Sequence, residues 1–350
     1  MREKFRVVSL FSGCGGMDYG LEGGFEIFGQ KYPKNPFTTV FSNDINAFAC
    51  ETLAYNLPHI SPVVGSIADV PDSALPSKVD VVTGGFPCQT FSHSGKREGL
   101  ESERGQLYRQ MKRVVEVTRP KMFIAENVDG LRTSTRGADT TALNHIVAEF
   151  EQSGYDVAYQ VLKAVDYGVP QTRVRVIIIG VDKKYGVDKV EYPTPTHGTA
   201  APLLPYRTAH DSIGDLWSHL GDGTVANHAV QDYSKGKFYP GKTMQGNNQI
   251  AKDKPAPTIR AEHHGNIEAH YNTTDGKPAS PDFSNVRRLS VRECARIQTF
   301  PDSFVFPCSA SQAYRQIGNA VPPVLAWHIG RAVARQLNNL TAADEQKLGT

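Results

Sequence analysis

The chain has 350 residues, 39% of them hydrophobic and 21% charged, which is the composition of a globular protein large enough for more than one domain. Its formal net charge of +2 is nearly neutral, so any surface that binds a polyanion must be local. The sequence lacks a run of 18 apolar residues, a signal-peptide pattern and any CxxC pair among its five cysteines. We therefore expect a cytoplasmic protein without a membrane span, disulfide framework or zinc site.

The chain up to about Lys189 alternates between strand and helix patterns. Apolar runs suited to buried parallel strands occur at Val7–Phe11, Thr39–Ser42, Val79–Thr83, Met122–Ala125 and Val174–Val181. Helical spacing of apolar residues is found at Leu107, Met111, Val114 and Val115, and again at Leu143, Ile146, Val147 and Phe150. This alternation predicts an α/β fold with a doubly wound, mostly parallel sheet that binds ligands at the carboxyl ends of its strands.

The composition changes in residues 192–285, which are rich in Pro, Gly, Thr, Asn and His and only weakly periodic. A disordered insertion would explain this composition, but five aromatic residues argue against it: Trp217, Tyr233, Phe238, Tyr239 and Tyr271. We therefore predict a second, smaller, loop-rich domain. Helical periodicity returns at Val291–Ile297 and Val324–Leu337, and we expect the tail after Asn338 to fray.

A glycine-rich loop follows the first predicted strand and precedes a helix. Gly13, Gly15 and Gly16 allow a tight turn and a close approach of the backbone to a ligand. Asp44 ends the second apolar run, where doubly wound folds place a carboxylate that binds ribose hydroxyls. A purely structural turn would also explain the glycines. The loop is neither a P-loop nor a complete GxGxxG fingerprint, and its spacing fits an adenosyl ligand without a pyrophosphate.

The segment after the third apolar run places Cys88 behind a strand end, two glycines and Pro87, so we expect its thiol to face the ligand crevice. Most cysteines are inert packing residues. Here the following loop carries His93, Lys96 and Arg97, which favour the thiolate form. The loop is long, polar and interrupted by glycines, as a mobile lid would be.

Charged residues also lie at the ends of two later strands. Glu126 ends a buried run and could give or take a proton in a partly dry crevice. Arg173 and Arg175 are spaced i and i+2, so in an extended chain both side chains point the same way. A single arginine could be a solvated charge, but a matched pair at the mouth of a buried strand indicates a site.

These segments, taken in order, resemble the motifs of the cytosine-5 DNA methyltransferases of bacterial restriction–modification systems. The matching stretches are FSGCGG, GGFPCQ, ENV, QTRVR, Arg288–Pro301 and Gln316–Val321. Residues 192–285 fall where that family keeps its variable target-recognition region, and Pro257–Ala261 resembles a landmark of such regions. The resemblance implies a Rossmann-like catalytic domain (1–190 and 312–338), a target-recognition domain (192–285) and a connecting segment (286–311).

The resemblance also implies roles for individual residues. The implied catalytic residues are Cys88, which would attack C6 of cytosine, Glu126 at N3 and the exocyclic amine, Arg175 at O2, and Arg173 in support. The implied S-adenosylmethionine site comprises Phe11, Gly13, Gly15, Gly16, Asp44, Ile45, Ser66, Ile67, Pro87, Leu107 and Asn319. The expected DNA contacts are Gln89, Ser92, Lys96, Thr258 and Arg260, with His263, His264 and Asn266 as further candidates.

One position departs from the family pattern. Ser66 stands where the family usually has an aspartate that binds the adenine amino group. A serine hydroxyl can still accept a hydrogen bond, but without charge. Either Asp69 compensates or the affinity for the cofactor is lower.

The implied protein is a monomeric bacterial enzyme that uses S-adenosylmethionine and no metal. It would methylate C5 of a cytosine flipped out of double-stranded DNA and protect host DNA from a cognate restriction endonuclease. Three alternatives remain. A branch of the same family methylates tRNA cytosine. A non-catalytic DNA binder would not need the intact Pro-Cys, ENV and QTRVR set, and a nicotinamide oxidoreductase would need the missing dinucleotide fingerprint.

Overall fold

A computed structural model describes residues 4–86, 107–133, 141–233, 238–239, 247–261, 270–273, 280, 282 and 284–348. Its strands are β1 (Phe5–Leu10), β2 (Phe25–Ile27), β3 (Gln30–Tyr32), β4 (Phe37–Asp44), β5 (Val63–Val64), β6 (Val81–Gly84), β7 (Met122–Val128), β8 (Tyr155–Lys163), β9 (Val174–Asp182), β10 (Asn248–Gln249), β11 (His270–Thr273) and β12 (Val286–Arg288). Its helices are α1 (Gly16–Glu22), α2 (Ala47–Asn56), α3 (Leu107–Thr118), α4 (Gly130–Thr133), α5 (Ala142–Gln152), α6 (Ala209–Ile213), α7 (Val291–Ile297), α8 (Ala310–Asn319) and α9 (Pro323–Leu348).

A large sheet forms the centre of the molecule. Among the described residues it contains seven strands in the order β5-β4-β1-β6-β7-β9-β8. The first five are parallel to one another, and β9 is antiparallel to both of its neighbours. This arrangement confirms the predicted mostly parallel α/β fold. The sequence prediction missed β8, which lies at the sheet edge, where its partly exposed residues do not form a continuous apolar run.

Helices cover both faces of the sheet, which is why its central strands consist of continuous apolar runs. On one face α3 and α5 bury the apolar residues that predicted them, among them Met111, Val114 and Ile146. On the other face lie α1 and α9. The parallel strands all end at the same edge, so the residues that follow them come together there.

The last helix continues further than the sequence predicted. We expected fraying after Asn338, but α9 extends to Leu348. The expectation was wrong because this part of the helix packs on the protein: Leu340 is only 5% exposed, and Lys121 donates a hydrogen bond to Thr341 Oγ1 at 3.3 Å. Helix α9 is long, but neither it nor any other helix in the described residues combines sufficient length with the apolar character of a membrane span.

The described part of residues 192–288 is built from short elements. Strands β10, β11 and β12 form a small sheet, and Arg287 lies over the ring of Trp217 at 4.5 Å. Apolar residues of this region, including Leu216 and Ile259, share one core with α7 and α8. Helix α7 begins with a capping box, in which Ser290 and Glu293 satisfy each other's backbone N–H groups.

Candidate active site

A cavity of about 400 Å³ opens at the edge where β1, β4, β6 and β7 end. The sequence-predicted site residues on its wall are Phe11, Gly13, Gly16, Asp44, Ile45, Ser66, Ile67, Leu107, Glu126, Arg175 and Asn319. Gly15, Arg173, Thr258 and Arg260 are described but do not line it. Pro87, Cys88, Gln89, Ser92, Lys96, His263, His264 and Asn266 lie outside the described residues. The structure thus brings together most of those predicted site residues that it describes.

The glycine-rich loop leaves β1 through backbone conformations that favour glycine. Phe11, Gly13 and Gly15 all have positive φ angles, of 52°, 55° and 85°. Gly15 caps the amino terminus of α1 and donates a hydrogen bond to the Ser12 carbonyl at 2.9 Å. Gly16 is required for another reason, because a Cβ there would lie 2.5 Å from the carbonyl oxygen of Val321. The loop therefore makes a sharp turn and also packs closely against the backbone at Val321.

Asp44 ties the end of β4 to this loop. Its Oδ2 accepts a hydrogen bond from the Gly13 N–H and its Oδ1 one from the Asn46 N–H, both at 2.8 Å. Burial raises the pKa of the Asp44 carboxyl, and these backbone donors act in the opposite direction. Because each carboxylate oxygen accepts more than one bond, the oriented group retains acceptor sites toward the cavity.

Ser66 lies on the cavity wall and starts a short 3₁₀ helix. Its Oγ accepts a hydrogen bond from the Ala68 N–H at 3.3 Å, so the hydroxyl already serves as a helix cap. Asp69, which we considered as a substitute for the missing carboxylate, is exposed and is not among the lining residues.

Glu126 and Arg175 are diagonal neighbours on the antiparallel strands β7 and β9. Val128 of β7 pairs with Arg175, which brings the start of β9 beside the end of β7. The Arg175 Nε lies 2.6 Å from Glu126 Oε1, and both side chains are nearly buried. The two atoms are close enough for an ion pair but are not aligned as a hydrogen bond, and both lack hydrogen-bond partners within the described part of the chain. Buried polar atoms without hydrogen-bond partners favour the binding of a polar ligand.

Arg173 has a different environment from Arg175. It is 1% exposed, and its guanidinium donates hydrogen bonds to the carbonyl oxygens of Ile259 and Gly318, each at 3.1 Å. Burial lowers the pKa of this guanidinium well below its ordinary value. Arg173 thus connects two distant segments behind the cavity wall.

The two described DNA-contact candidates lie on a segment that packs against the QTRVR motif. Gln171 and Ala256 form a parallel bridge, and the Thr258 Oγ1 donates a long hydrogen bond, 3.4 Å, to the Thr172 carbonyl. Arg260 follows directly and is exposed. This segment therefore packs on the residues that lead into β9.

Among the lining residues to which the sequence analysis assigned no role are Asn46, Phe86 and Arg315. Asn46 is a typical N-cap residue before α2, and its backbone N–H holds Asp44. Arg315 precedes Asn319 by four residues on α8, so helical spacing could have placed both on one face. Within the same described residues, no group of three or more His, Cys, Asp or Glu side chains could hold a metal ion.

Comparisons with known sequences identify a family. The family model of C-5 cytosine-specific DNA methylases matches residues 5–335. The chain is 35% identical to Type II methyltransferase M.BsuRI of Bacillus subtilis, with 99% of this chain and 83% of that protein aligned. It is 36% identical to Type II methyltransferase M.NgoFVII of Neisseria gonorrhoeae, with 91% and 84% aligned. These matches confirm the resemblance seen in the sequence.

Solved structures show the same fold. The Entamoeba histolytica methyltransferase EhMeth superimposes with a TM-score of 0.67 at 15% identity, covering 96% of this chain and 99% of that one. The Dnmt2 methyltransferase of S. pombe gives a TM-score of 0.63 at 17% identity, with the same coverage. At these identities the likeness concerns the fold alone.

Proposed function

The chain belongs to the C-5 cytosine-specific DNA methylase family, and from this we propose that it methylates C5 of a cytosine flipped out of a specific duplex DNA site, with S-adenosylmethionine as donor. It is an enzyme, a DNA cytosine-5 methyltransferase of the Type II restriction–modification kind. The observation that carries the finer proposal is the Glu126–Arg175 pair, whose unsatisfied polar atoms lie on the wall of the glycine-loop cavity.

The described walls of the cavity fit S-adenosylmethionine. Phe11, Ile67 and Leu107 supply apolar surface for an adenine ring, and the Asp44 carboxylate is oriented for ribose hydroxyls. Gly16 allows the loop to pack closely without a side chain. When bound, the donor supplies an electrophilic methyl group on a sulfonium.

The chemistry assigns a distinct task to each catalytic side chain. The Cys88 thiolate forms a bond to C6 of cytosine, and the electrons of the C5–C6 double bond then make C5 nucleophilic. Glu126 binds N3 and the exocyclic amine, and Arg175 binds O2, so charge that develops on the ring is stabilised. After methyl transfer the C5 proton leaves to a base, the C5–C6 double bond re-forms and the Cys88–C6 bond breaks.

We propose that residues 192–285 form the target-recognition domain and that 1–190 and 312–338 form the catalytic domain, joined by 286–311. Thr258 and Arg260 would contact DNA together with Gln89, Ser92 and Lys96. The bridge between Gln171 and Ala256 supports this assignment, because it anchors the Thr258–Arg260 segment to the strand that carries Arg175. We further propose that the enzyme acts as a monomer and protects DNA against a cognate restriction endonuclease.

Bisulfite sequencing tests the proposal. The chain is expressed in a host without cytosine-5 methylation, and DNA and tRNA are both sequenced. We expect cytosines at one DNA sequence to resist conversion, and none to resist in cells that express Cys88→Ala. Protection of tRNA alone would contradict the DNA substrate. Unprotected DNA from cells that contain folded, DNA-binding protein would instead indicate a non-catalytic binder.

A further inference from the structure

Both backbone groups of Ile259 are held by side chains of the QTRVR motif. The Ile259 N–H donates to Gln171 Oε1 at 2.9 Å, and its carbonyl accepts from Arg173 Nη1 at 3.1 Å. Gln171 and Ile259 are fully buried and Arg173 is 1% exposed. Water therefore cannot replace either bond, and the position of Ile259 follows the position of these two side chains.

The same two side chains also bind the backbone of the cavity wall, Arg173 directly and Gln171 through Gln298. Arg173 Nη2 donates to the Gly318 carbonyl at 3.1 Å. Gln171 Nε2 donates to Gln298 Oε1 at 2.5 Å, and Gln298 Nε2 donates to the carbonyls of Ile317 and Ala320, both at 2.8 Å. We call Gln171, Arg173 and Gln298 the polar clamp. It joins residues 256–261, the recognition segment, to residues 316–320, the cofactor wall.

The two joined segments are also in direct backbone contact. A Cβ on Gly318 would lie 2.1 Å from the carbonyl carbon of Arg260 and 2.3 Å from the amide nitrogen of Ala261. Such distances leave no room for a side chain. Gly318, Asn319 and Ala320 line the cavity, so a ligand in the cavity contacts one side of a thin wall and the recognition segment packs on the other.

We infer that the polar clamp couples occupancy of the cofactor cavity to the position of the recognition segment, an inference that rests on the proposed function. Its three members are positioning residues, since none of them lines the cavity. A ligand that orders the cofactor wall fixes the carbonyls of 317, 318 and 320. The clamp passes this restraint to Ile259, and from there to Thr258 and Arg260, because a buried hydrogen-bonded network in a close-packed interior has few alternative arrangements.

Such coupling is reciprocal and measurable. If the cofactor tightens DNA binding by some factor, DNA must tighten cofactor binding by the same factor. The probes are S-adenosylhomocysteine, which cannot transfer a methyl group, and a duplex oligonucleotide carrying the site found by bisulfite sequencing. Calorimetry gives the S-adenosylhomocysteine Kd with and without saturating DNA. For the wild type we expect a Kd ratio of about 5 to 150.

The test variant is Arg173→Lys, which keeps the charge but cannot reach both carbonyls with a planar fork. Arg292→Lys is the matched control. Arg292 is also fully buried and donates to three carbonyls, those of Ala226, Pro301 and Phe304. None of these hydrogen bonds reaches the recognition segment or the cofactor wall. Both substitutions remove a buried guanidinium, so a difference between them separates coupling from general loss of stability.

We expect the Kd ratio to fall close to one in Arg173→Lys and to stay at the wild-type value in Arg292→Lys. The inference is overturned if Arg173→Lys keeps the Kd ratio of the wild type. It is also overturned if the Kd ratio of the wild type itself is one. A wild type that does not bind S-adenosylhomocysteine at all contradicts the proposed function, and with it the coupling.

Hydrogen exchange of the wild type provides a measurement that does not depend on a variant folding. Without DNA, saturating S-adenosylhomocysteine should slow exchange of the Ile259 amide, which is bonded to Gln171, by about fivefold or more. If exchange slows only in residues 316–320 and is unchanged in 256–261, the ligand orders the cofactor wall alone. That result would overturn the inference.

Discussion

The large sheet and the region after residue 192 reach their positions by different means. In the sheet, β7 buries six of its seven residues, and strand register alone brings Glu126 beside Arg175. In the later region, β10 has two exposed residues, and the described backbone is located by buried side chains such as Arg173 and Arg292. Strand register thus positions the Glu126–Arg175 pair, whereas a few buried polar side chains position the later region.

An exchange of residues 192–285 should have the largest effect. Replacing residues 192–285 by the matching segment of a relative with another target should change the methylated sequence completely, because the polar anchors Arg173 and Arg292 lie outside the exchanged segment. Bisulfite sequencing of host DNA reports the target. Methylation of the original site by the chimaera would mean that recognition lies elsewhere, for instance in the loop after Cys88.

On the catalytic side, Glu126→Gln should lower kcat by about 10²- to 10⁴-fold, the usual contribution of a positioned acid–base group. Binding of S-adenosylhomocysteine should change little, since Asp44 and the glycine loop hold that ligand in the proposed arrangement. Glu116→Gln, which alters a largely exposed glutamate on α3, is the control and should keep wild-type rates. A kcat for Glu126→Gln within tenfold of wild type would remove Glu126 from the mechanism.

The same contrast explains how much could be predicted from the sequence. Continuous apolar runs located β1, β4, β6, β7 and β9, and the motifs located the residues at their ends. Arg173 and Arg175, two residues apart, were indistinguishable by pattern, because only tertiary contacts with Ile259 and Gly318 separate their roles. The extent of α9 was also missed, since it depends on packing near Lys121 and not on local periodicity.

The buried carboxyl of Asp18, on α1, should make the free energy of unfolding depend on pH. Asp18 is fully buried, accepts hydrogen bonds from Ser9 and Thr39, and has a pKa raised by burial from 3.8 to about 6. The pKa of Asp18 is higher in the folded than in the unfolded protein, so folding favours the protonated carboxyl. The contribution of Asp18 to the free energy of unfolding is therefore fully present below pH 3.8 and is lost as the pH rises through 6.

Asp18→Asn cannot ionise and should escape this loss. The free energy of unfolding of Asp18→Asn, minus that of wild type, should therefore rise by up to about 3 kcal/mol between pH 4 and pH 8. Urea denaturation measures it. Asp69→Asn, at an exposed position, should show a flat difference over the same range. Parallel curves for Asp18→Asn and wild type would mean that Asp18 is not titrating in the folded protein.

Ser66→Asp should give the smallest effect, a tighter binding of S-adenosylmethionine by up to about tenfold, corresponding to one charge-assisted hydrogen bond of roughly 1–1.5 kcal/mol. An aspartate can keep the cap to Ala68, so the 3₁₀ helix should persist. Asp69→Asn serves again as the control and should leave the Kd unchanged. Unchanged or weaker binding in calorimetry would show that another group already fills the role of the missing carboxylate.

Duplex DNA containing 5-fluorocytosine at the methylated site tests whether Cys88 bonds to C6 during methylation of DNA cytosine. Fluorine cannot leave C5 as a cation, so elimination stops after methyl transfer and the bond between Cys88 and C6 persists. We predict a denaturation-resistant protein–DNA band for wild type that requires S-adenosylmethionine and is absent for Cys88→Ala. A wild type that forms no adduct with a fluorinated version of DNA it demonstrably methylates would exclude the proposed bond between Cys88 and C6.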